Sequence, residues 1–454
     1  MDIAIVGAGP TGIINAISLC NAPYASQIRL HIYDPGKPCC GRSMNTDTQA
    51  MRLNTSLAVT FIDPANSRDL FEFVQAQSPA TKLEDVAPRE MVAKYLRARF
   101  RQARKRLESG NIVKQTVTAL CTGKDGRLVV VTAQAQRSFD AVIIATGLPF
   151  RALSAQSGGQ PVISPYPGRS LIGLDRDAPV LVFGSRLSAV DVLVQLAKQK
   201  HKGPITLYSR CGYFPSVRCQ LLKTEGQPFL ATYRHAASRR PEGYSRVDCL
   251  VELFIQHLQR GGGALSDMII ANGRDGAAQL HHDVLMCRND RNSWQAIAMD
   301  VIDAMNELLP TLDVGGRSRF MTHVHPWLGR FTFAMPLCNA EIVDGLFTSG
   351  QLRILSRDEV LTRDMSAGSV IVNATGLESA ERDPLLAHLG KSGLIRFNGL
   401  GGLVANSISC RLNEQWPLYG NGAILQGEVY TSSSIYSSSY GAQKITDDIG
   451  RILV

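Results

Sequence analysis

A glycine pattern close to the N-terminus constrains this chain more than any other feature. Residues 2–6 (DIAIV) form a short apolar run suited to a buried parallel strand. Gly7-Ala8-Gly9-Pro10-Thr11-Gly12 follows at once, then an apolar helical stretch, Ile13 to Leu19. Leu30 to Tyr33 reads as a second strand, and it ends at Asp34. Each glycine has its own task in such a unit. Gly7 permits the tight turn, Gly9 lets backbone approach a pyrophosphate, and Gly12 lets helix and strand pack closely. Pro10 and Thr11 open the helix, whose free N–H groups then face phosphate. Asp34 can accept hydrogen bonds from ribose hydroxyls. A lone glycine pattern is weak. Strand, glycines, helix, strand and acid in that order predict a dinucleotide-binding βαβ unit.

A second unit of the same kind begins at Pro179-Val180-Leu181-Val182-Phe183. The turn is Gly184-Ser185-Arg186-Leu187-Ser188-Ala189, the helix Val190 to Ala197, and the next strand Ile205 to Tyr208. This is the natural place for a nicotinamide cofactor. The strand ends in Ser209-Arg210 instead of an acid, and Arg210 suits the 2′-phosphate of NADPH. Arg186 stands where the second glycine belongs. Two readings stay open for it: a clamp on a phosphate, or a plug in a site that no longer binds.

Features between the two units favour flavin in the first. Gly41-Arg42 lie in the loop after Asp34. Asp140 to Gly147 is a buried strand running into Thr146-Gly147. Ahead of it, Ile112 to Ala119 and Leu128 to Ala133 are alternating β-runs, joined by a Lys124-Asp125-Gly126 hairpin turn. Such a filling is usual in an FAD-binding half.

The chain has 454 residues, 44% hydrophobic and 19% charged, which predicts a globular protein of two or three domains. No apolar run is long enough to span a membrane and no leader precedes the first motif, so a cytoplasmic location is expected. The net charge of +9 lies partly in Arg97, Arg99, Arg101, Arg104, Lys105 and Arg106. Val92, Leu96, Phe100, Ala103 and Leu107 alternate with them at helical spacing, predicting an amphipathic helix over 89–107 with a basic, solvated outer face. Nucleic-acid binding would need interleaved aromatics or a recognisable module, and neither is present. Ten cysteines lack disulfide-framework or zinc spacing. Reduced thiols and no metal site are expected, and no CxxC pair near the flavin motif suggests a redox disulfide.

Taken together the motifs resemble the FAD/NAD(P)-binding proteins related to flavin-dependent N-hydroxylating monooxygenases. The resemblance runs over nearly the whole chain, through Ala145-Thr146-Gly147, Gly184-Ser185, Leu187-Ser188-Ala189-Val190-Asp191 and Ala374-Thr375-Gly376. It implies an α/β fold of two dinucleotide-binding Rossmann-like domains with a helical insertion. The expected boundaries are an FAD-binding domain over 1–170, an NAD(P)H-binding-like domain with the insertion over 171–345, and a return to the FAD domain over 346–454. Helices are expected at Asp248 to Gln259 and Trp294 to Leu309, and loops at Gly261-Gly262-Gly263 and over 271–278, whose glycines would let the insertion move as a cap.

The resemblance also places Asn54 and Thr55, after Leu53, close to the flavin, and Gly420-Asn421 at a turn where many flavoproteins carry Gly-Asp. Thr431 to Tyr440 reads as a hydroxyl-rich loop facing the pocket, with a helix from Gly441. His323 and His325 fall in a stretch that departs from the family pattern, as proton-transfer groups or as structural residues. The implied reaction is NADPH-dependent oxidation of a nitrogen or sulfur of a small amino-acid-like or secondary-metabolite substrate by O₂, through a C4a-hydroperoxyflavin. A flavin oxidase or dehydrogenase with a degenerate nicotinamide site is the alternative, and a non-enzymatic flavin-binding subunit a third. No residue stands out as a general base, and no oligomeric state follows.

Overall fold

The computed structural model describes residues 1–44, 48–153, 162–209, 212–260, 276–355 and 369–453. The strands in chain order are β1 (Asp2–Val6), β2 (Arg29–Tyr33), β3 (Ser109–Val113), β4 (Val117–Thr122), β5 (Leu128–Thr132), β6 (Gln136–Phe139), β7 (Ala141–Ile144), β8 (Val162–Ile163), β9 (Val180–Phe183), β10 (Ile205–Tyr208), β11 (Val217–Arg218), β12 (Met335–Pro336), β13 (Leu352–Leu355), β14 (Val370–Asn373) and β15 (Leu418–Gly420). The α-helices are α1 (Pro10–Asn21), α2 (Asp69–Gln75), α3 (Arg89–Ala103), α4 (Leu187–Lys198), α5 (Pro228–Ala237), α6 (Tyr244–Arg260), α7 (Gly276–Arg288), α8 (Ala298–Leu308), α9 (Val314–Arg319), α10 (His325–Thr332), α11 (Leu337–Thr348), α12 (Pro384–Lys391) and α13 (Ile435–Leu453).

Two five-stranded parallel sheets organise the molecule. One runs β15-β7-β1-β2-β3 and the other β13-β10-β9-β14-β8. Their central strands are apolar apart from Asp2 of β1; in the first sheet α1, α3 and α13 cover one face and the meander of β4, β5 and β6 packs on the other. Pro10 starts α1 at a position where its missing N–H costs nothing. The C-terminal helix α13 packs on α1, with Ser18 Oγ 2.7 Å from Thr446 Oγ1. β15 pairs with β7, so the end of the chain does return to the first sheet.

Several expectations need correction. The run Ile112 to Ala119 is not one strand. Residues up to Val113 pair with β2 in the parallel sheet, and the chain turns before β4 joins the antiparallel β4-β5-β6 meander. The second sheet also reaches beyond its expected limits at 171 and 345. It gains β14 and β8 on one side of β9 and β13 on the opposite edge, where α11 returns the chain to lay β13 beside β10. A two-residue strand such as β8 carries no readable period. Residues 276–278, expected in a loop, begin α7; residues 261–275, with the glycine run, lie outside the described residues. The hydroxyl tract is half helix: α13 starts at Ile435, where the Ser434 Oγ accepts from the Ser437 N–H at 3.0 Å as a cap. The basic helix ends at Ala103, and its first residue, Arg89, is buried. Finally, Cys219 and Cys287 form a disulfide across 68 residues of sequence, their Cα atoms 6.0 Å apart. β11 packs on α7 and brings them together, which no spacing pattern announces.

The insertion builds a separate core from α5, α6, α8 and α10, with Phe254, Trp294, Phe320 and Phe331 at its centre. Val59, Phe61, Tyr430 and Tyr436 belong to the same cluster. The insertion therefore packs against the first unit and its C-terminal return.

Candidate functional site

The first glycine turn has the geometry its residues require. Gly7 has φ +107°, and a Cβ there would lie 2.5 Å from the Ala145 carbonyl oxygen. A Cβ on Gly12 would lie 1.8 Å from the Gly7 oxygen, so α1 sits against the turn at a distance only glycine permits. Asp34 ends β2 and holds the turn itself: its carboxylate accepts from the Ala8 N–H at 2.7 Å and from the Gly36 N–H at 2.7 Å. The Gly41-Arg42 loop folds over the α1 N-terminus, where Cys39 N–H donates to the Ala8 oxygen at 2.8 Å. Arg42 Nη1 donates to the Leu148 oxygen at 2.9 Å and joins that loop to the Thr146-Gly147 turn.

These pieces line one cavity of about 390 Å³. Gly9, Pro10, Thr11, Arg42, Asn54, Thr55, Thr146, Gly147 and Ser188 all face it. Gly7, Gly12, Asp34, Gly184 and Ser185 shape the turns behind it. Leu187 and Ser188 bring the α4 N-terminus to the same space, with Gly376-Leu377 beside them. The insertion supplies Leu221, Met299, Ile302, Thr332 and Phe333. From the hydroxyl tract come Thr431, Ser433, Ser434 and Ser438, the last 3.0 Å from Thr11 Oγ1. Among the described residues the buried Asn54 Oδ1, on the cavity lining, has no hydrogen-bond partner.

Some expected residues lie elsewhere. Asn421 is buried away from this cavity; its amide donates to the Ser438 oxygen at 2.9 Å and its Oδ1 accepts from the Gly422 N–H at 2.8 Å. Gly420 is buried against Leu412, and Ala423 is the residue of that turn that reaches the cavity. Arg210 lies outside the described residues. Arg186 does not line the cavity either. Its guanidinium lies 5.3 Å from the Tyr213 ring and donates to the Pro326 oxygen at 3.2 Å. His323 is exposed, whereas His325 sits among Phe320, Phe333 and Tyr430 at the start of α10. Burial, reinforced by Arg186, lowers the His325 pKa to about 4, so the ring is neutral at physiological pH.

Sequence reasoning missed a buried triad at the wall shared by the two units. Arg89 of α3 contacts Asp191 of α4 at 2.6 Å and donates to the Tyr166 hydroxyl at 3.0 Å. The same hydroxyl donates to Asp191. Burial raises the Tyr166 pKa, so the hydroxyl stays protonated. Burial also pushes the Asp191 carboxyl up, and Arg89 and Tyr166 oppose that. Arg89 and Tyr166 both line the cavity, and Phe150 stacks on Tyr166 at 5.7 Å. A signal for Arg89 was present: it lies on the helical stripe of Val92, Leu96 and Phe100, the buried face.

Residues 4–149 match the family model described as FAD-NAD(P)-binding. That stretch is an FAD/NAD(P)-binding domain, and it carries the first glycine turn and the Thr146-Gly147 return. No curated relative matches the chain. Among solved structures it is similar to L-lysine 6-monooxygenase from Pseudomonas syringae, with TM-score 0.63, 13% identity and 100% of both chains covered. It is similar to an ornithine N-hydroxylase of Kutzneria sp. 744, solved with reduced FAD, NADP+ and L-ornithine, at TM-score 0.62 and 15% identity over 100% of this chain and 99% of that one. It also resembles OTEMO, in complex with FAD and NADP, at TM-score 0.55 and 14% identity over 100% of this chain and 86% of that one. The fold is that of flavoproteins with two dinucleotide-binding units. Among the described residues no helix is long and apolar enough to cross a membrane, and no cluster of His, Cys, Asp or Glu could hold a metal.

Proposed function

We propose that the chain is an NADPH-dependent flavin monooxygenase that oxidises a nitrogen or sulfur of a small organic substrate. One observation carries this reading: the glycine turn of the first unit, the helix N-terminus of the second and the wall of the insertion line one cavity. The residues present fit a flavin dinucleotide. Gly9 leaves the turn open toward the cavity, the α1 N–H groups suit a pyrophosphate, and the Asn54 Oδ1, without a partner among the described residues, suits an N–H donor. Gly9, Pro10, Thr11, Arg42, Asn54, Thr55, Thr146 and Gly147 would hold it. The chemistry supplied by a bound flavin is two-electron reduction by nicotinamide and activation of dioxygen.

The chain's own groups do the rest. Ser188 and the α4 N-terminus offer donors to the nicotinamide cofactor's phosphates. Arg186 is held by the Pro326 oxygen beside Tyr213 and does not line the cavity, which favours NADPH use over a plugged site. The apolar insertion wall excludes water from the reacting atoms. No side chain in the cavity is required to take a proton from a neutral nucleophile. The experiment is a turnover of flavin-loaded protein with NADPH and ¹⁸O₂ against a panel of amines and thioethers. One labelled oxygen atom in a product supports the reading. Oxidised product without label, or turnover independent of nicotinamide, would instead favour the oxidase or dehydrogenase.

A further inference from the structure

We infer that the substrate is uncharged, with an apolar body such as an arylamine or aryl thioether, and is not a zwitterionic amino acid. This rests on the monooxygenase reading and narrows it. The part of the cavity built by the insertion is made of Leu221, Met299, Ile302, Thr332 and Phe333, with Val59 opposite. Met299 is 2% exposed and Ile302 5%, so the wall is core-like in character. Thr332 spends its hydroxyl on the Leu328 oxygen at 3.2 Å and the Tyr430 hydroxyl at 2.7 Å.

Charge supports the same conclusion. Among the described lining residues there is no aspartate, glutamate, lysine or histidine; the charged ones are Arg42 and Arg89. Among the described lining residues a ligand ammonium would meet Arg42, the Arg89 already paired with Asp191, and no carboxylate, and a buried unpaired charge is strongly disfavoured. Asp303, which touches the lining residue Tyr436, is already committed. It pairs with Lys223 at 3.1 Å and accepts from the Tyr436 hydroxyl at 2.6 Å and the Gln227 amide at 2.8 Å. It lines a second cavity, of about 380 Å³, on the far side of Tyr436.

The reaction balances for an arylamine as ArNH₂ + O₂ + NADPH + H⁺ → ArNHOH + NADP⁺ + H₂O. An N–O bond forms and the O–O bond breaks. NADPH gives two electrons and the nitrogen two, one oxygen atom enters the product, and the other leaves as water.

The test is equilibrium binding to flavin-loaded protein, by calorimetry without NADPH, of 4-ethylaniline and of L-lysine. The expected result is at least tenfold tighter binding of 4-ethylaniline. Ile302→Glu, which places a carboxylate in the wall, is expected to weaken 4-ethylaniline at least tenfold and to improve L-lysine. Tighter binding of L-lysine by the wild type, or binding of neither, overturns the inference. Should the variant lose its flavin, Met299→Glu gives the same reversal. Arylamine binding that survives while NADPH fails to reduce the flavin removes the monooxygenase reading and keeps the substrate class. Label transfer from ¹⁸O₂ to L-lysine but not to the arylamine does the opposite.

Discussion

The two βαβ units share a backbone and differ in what their turns present. Gly7 and Gly184 are equivalent: φ is +107° and +116°, and a Cβ would lie 2.5 Å from the Ala145 oxygen in one and 2.3 Å from the Ala374 oxygen in the other. Neither turn closes without glycine there. The next position behaves differently. Gly9 has φ −64° and ψ −178°, and Arg186 has φ −86° and ψ −169°. Both are extended, and any residue adopts that backbone. Among the described residues a Cβ on Gly9 would meet the Gly41 backbone alone, its Cα at 3.5 Å and its N at 3.9 Å, an ordinary contact. The first glycine is thus demanded by the fold, and the second only by what must approach it. The acid differs too. Asp34 braces its own turn, whereas in the second unit the Ser209 hydroxyl lies 2.7 Å from the Ser185 hydroxyl.

The strongest way to break this pairing is to cut what ties the units together. Asp191→Ala leaves Arg89 buried without its counter-ion and should cost about 3–5 kcal/mol, read as a lowered denaturant midpoint. An unchanged midpoint would mean that the triad does not couple α3 to α4. Next is the asymmetry at the third turn position. Gly12→Ala forces a Cβ onto the Gly7 oxygen and should cost roughly 3 kcal/mol with loss of flavin, while Ala189→Gly should cost about 1 kcal/mol or less. Comparable losses from the two would sink the claim that the first helix sits closer to its turn. Smaller in stability is Gly9→Arg, which copies the second turn into the first. The fold should change by less than about 1 kcal/mol, yet purified protein should retain well under half its flavin. Full retention would show that no pyrophosphate approaches Gly9.

The smallest effect at neutral pH, one that grows only as the pH falls, is a pH dependence at the boundary between the second turn and the insertion. The His325 pKa is lowered to about 4 in the folded protein, against about 6.5 in an unfolded chain. The unfolded state therefore binds the proton first as pH falls. The stability that neutral His325 contributes is complete above pH ~6.5 and is lost progressively down to pH ~4. His325→Phe should flatten the fall in melting temperature between pH 7 and pH 4. Identical profiles would mean that folding leaves the pKa of this ring unshifted.

How much of this was legible follows from how local each signal is. The glycine turns and their strands are short-range patterns and were readable from residues alone, and the C-terminal return followed from the family resemblance. β8 and the Cys219–Cys287 bond were not, because two residues carry no period and a 68-residue separation carries no motif. The register of β14 beside β9 in the second sheet is likewise a matter of crossover and not of composition. At the site, Gly9, Pro10, Thr11, Arg42, Thr146 and Gly147 line the cavity from motif positions, while Asn54 and Thr55 were reached only through the family resemblance. The insertion wall was not: Leu221, Met299 and Ile302 look like any core residues until the fold brings them opposite Gly9. Arg89 was hidden by its neighbours, because a basic helix makes one more arginine look solvated.

The central claim is that both units serve one flavin-centred cavity. Mixing flavin-loaded protein with NADPH under anaerobic conditions in a stopped-flow spectrometer, with and without 4-ethylaniline, tests it most directly. The account predicts loss of the oxidised-flavin absorbance, faster with NADPH than with NADH. An absorbance unchanged by either nicotinamide, with the amine present, would contradict it and leave the second unit without a role in electron supply.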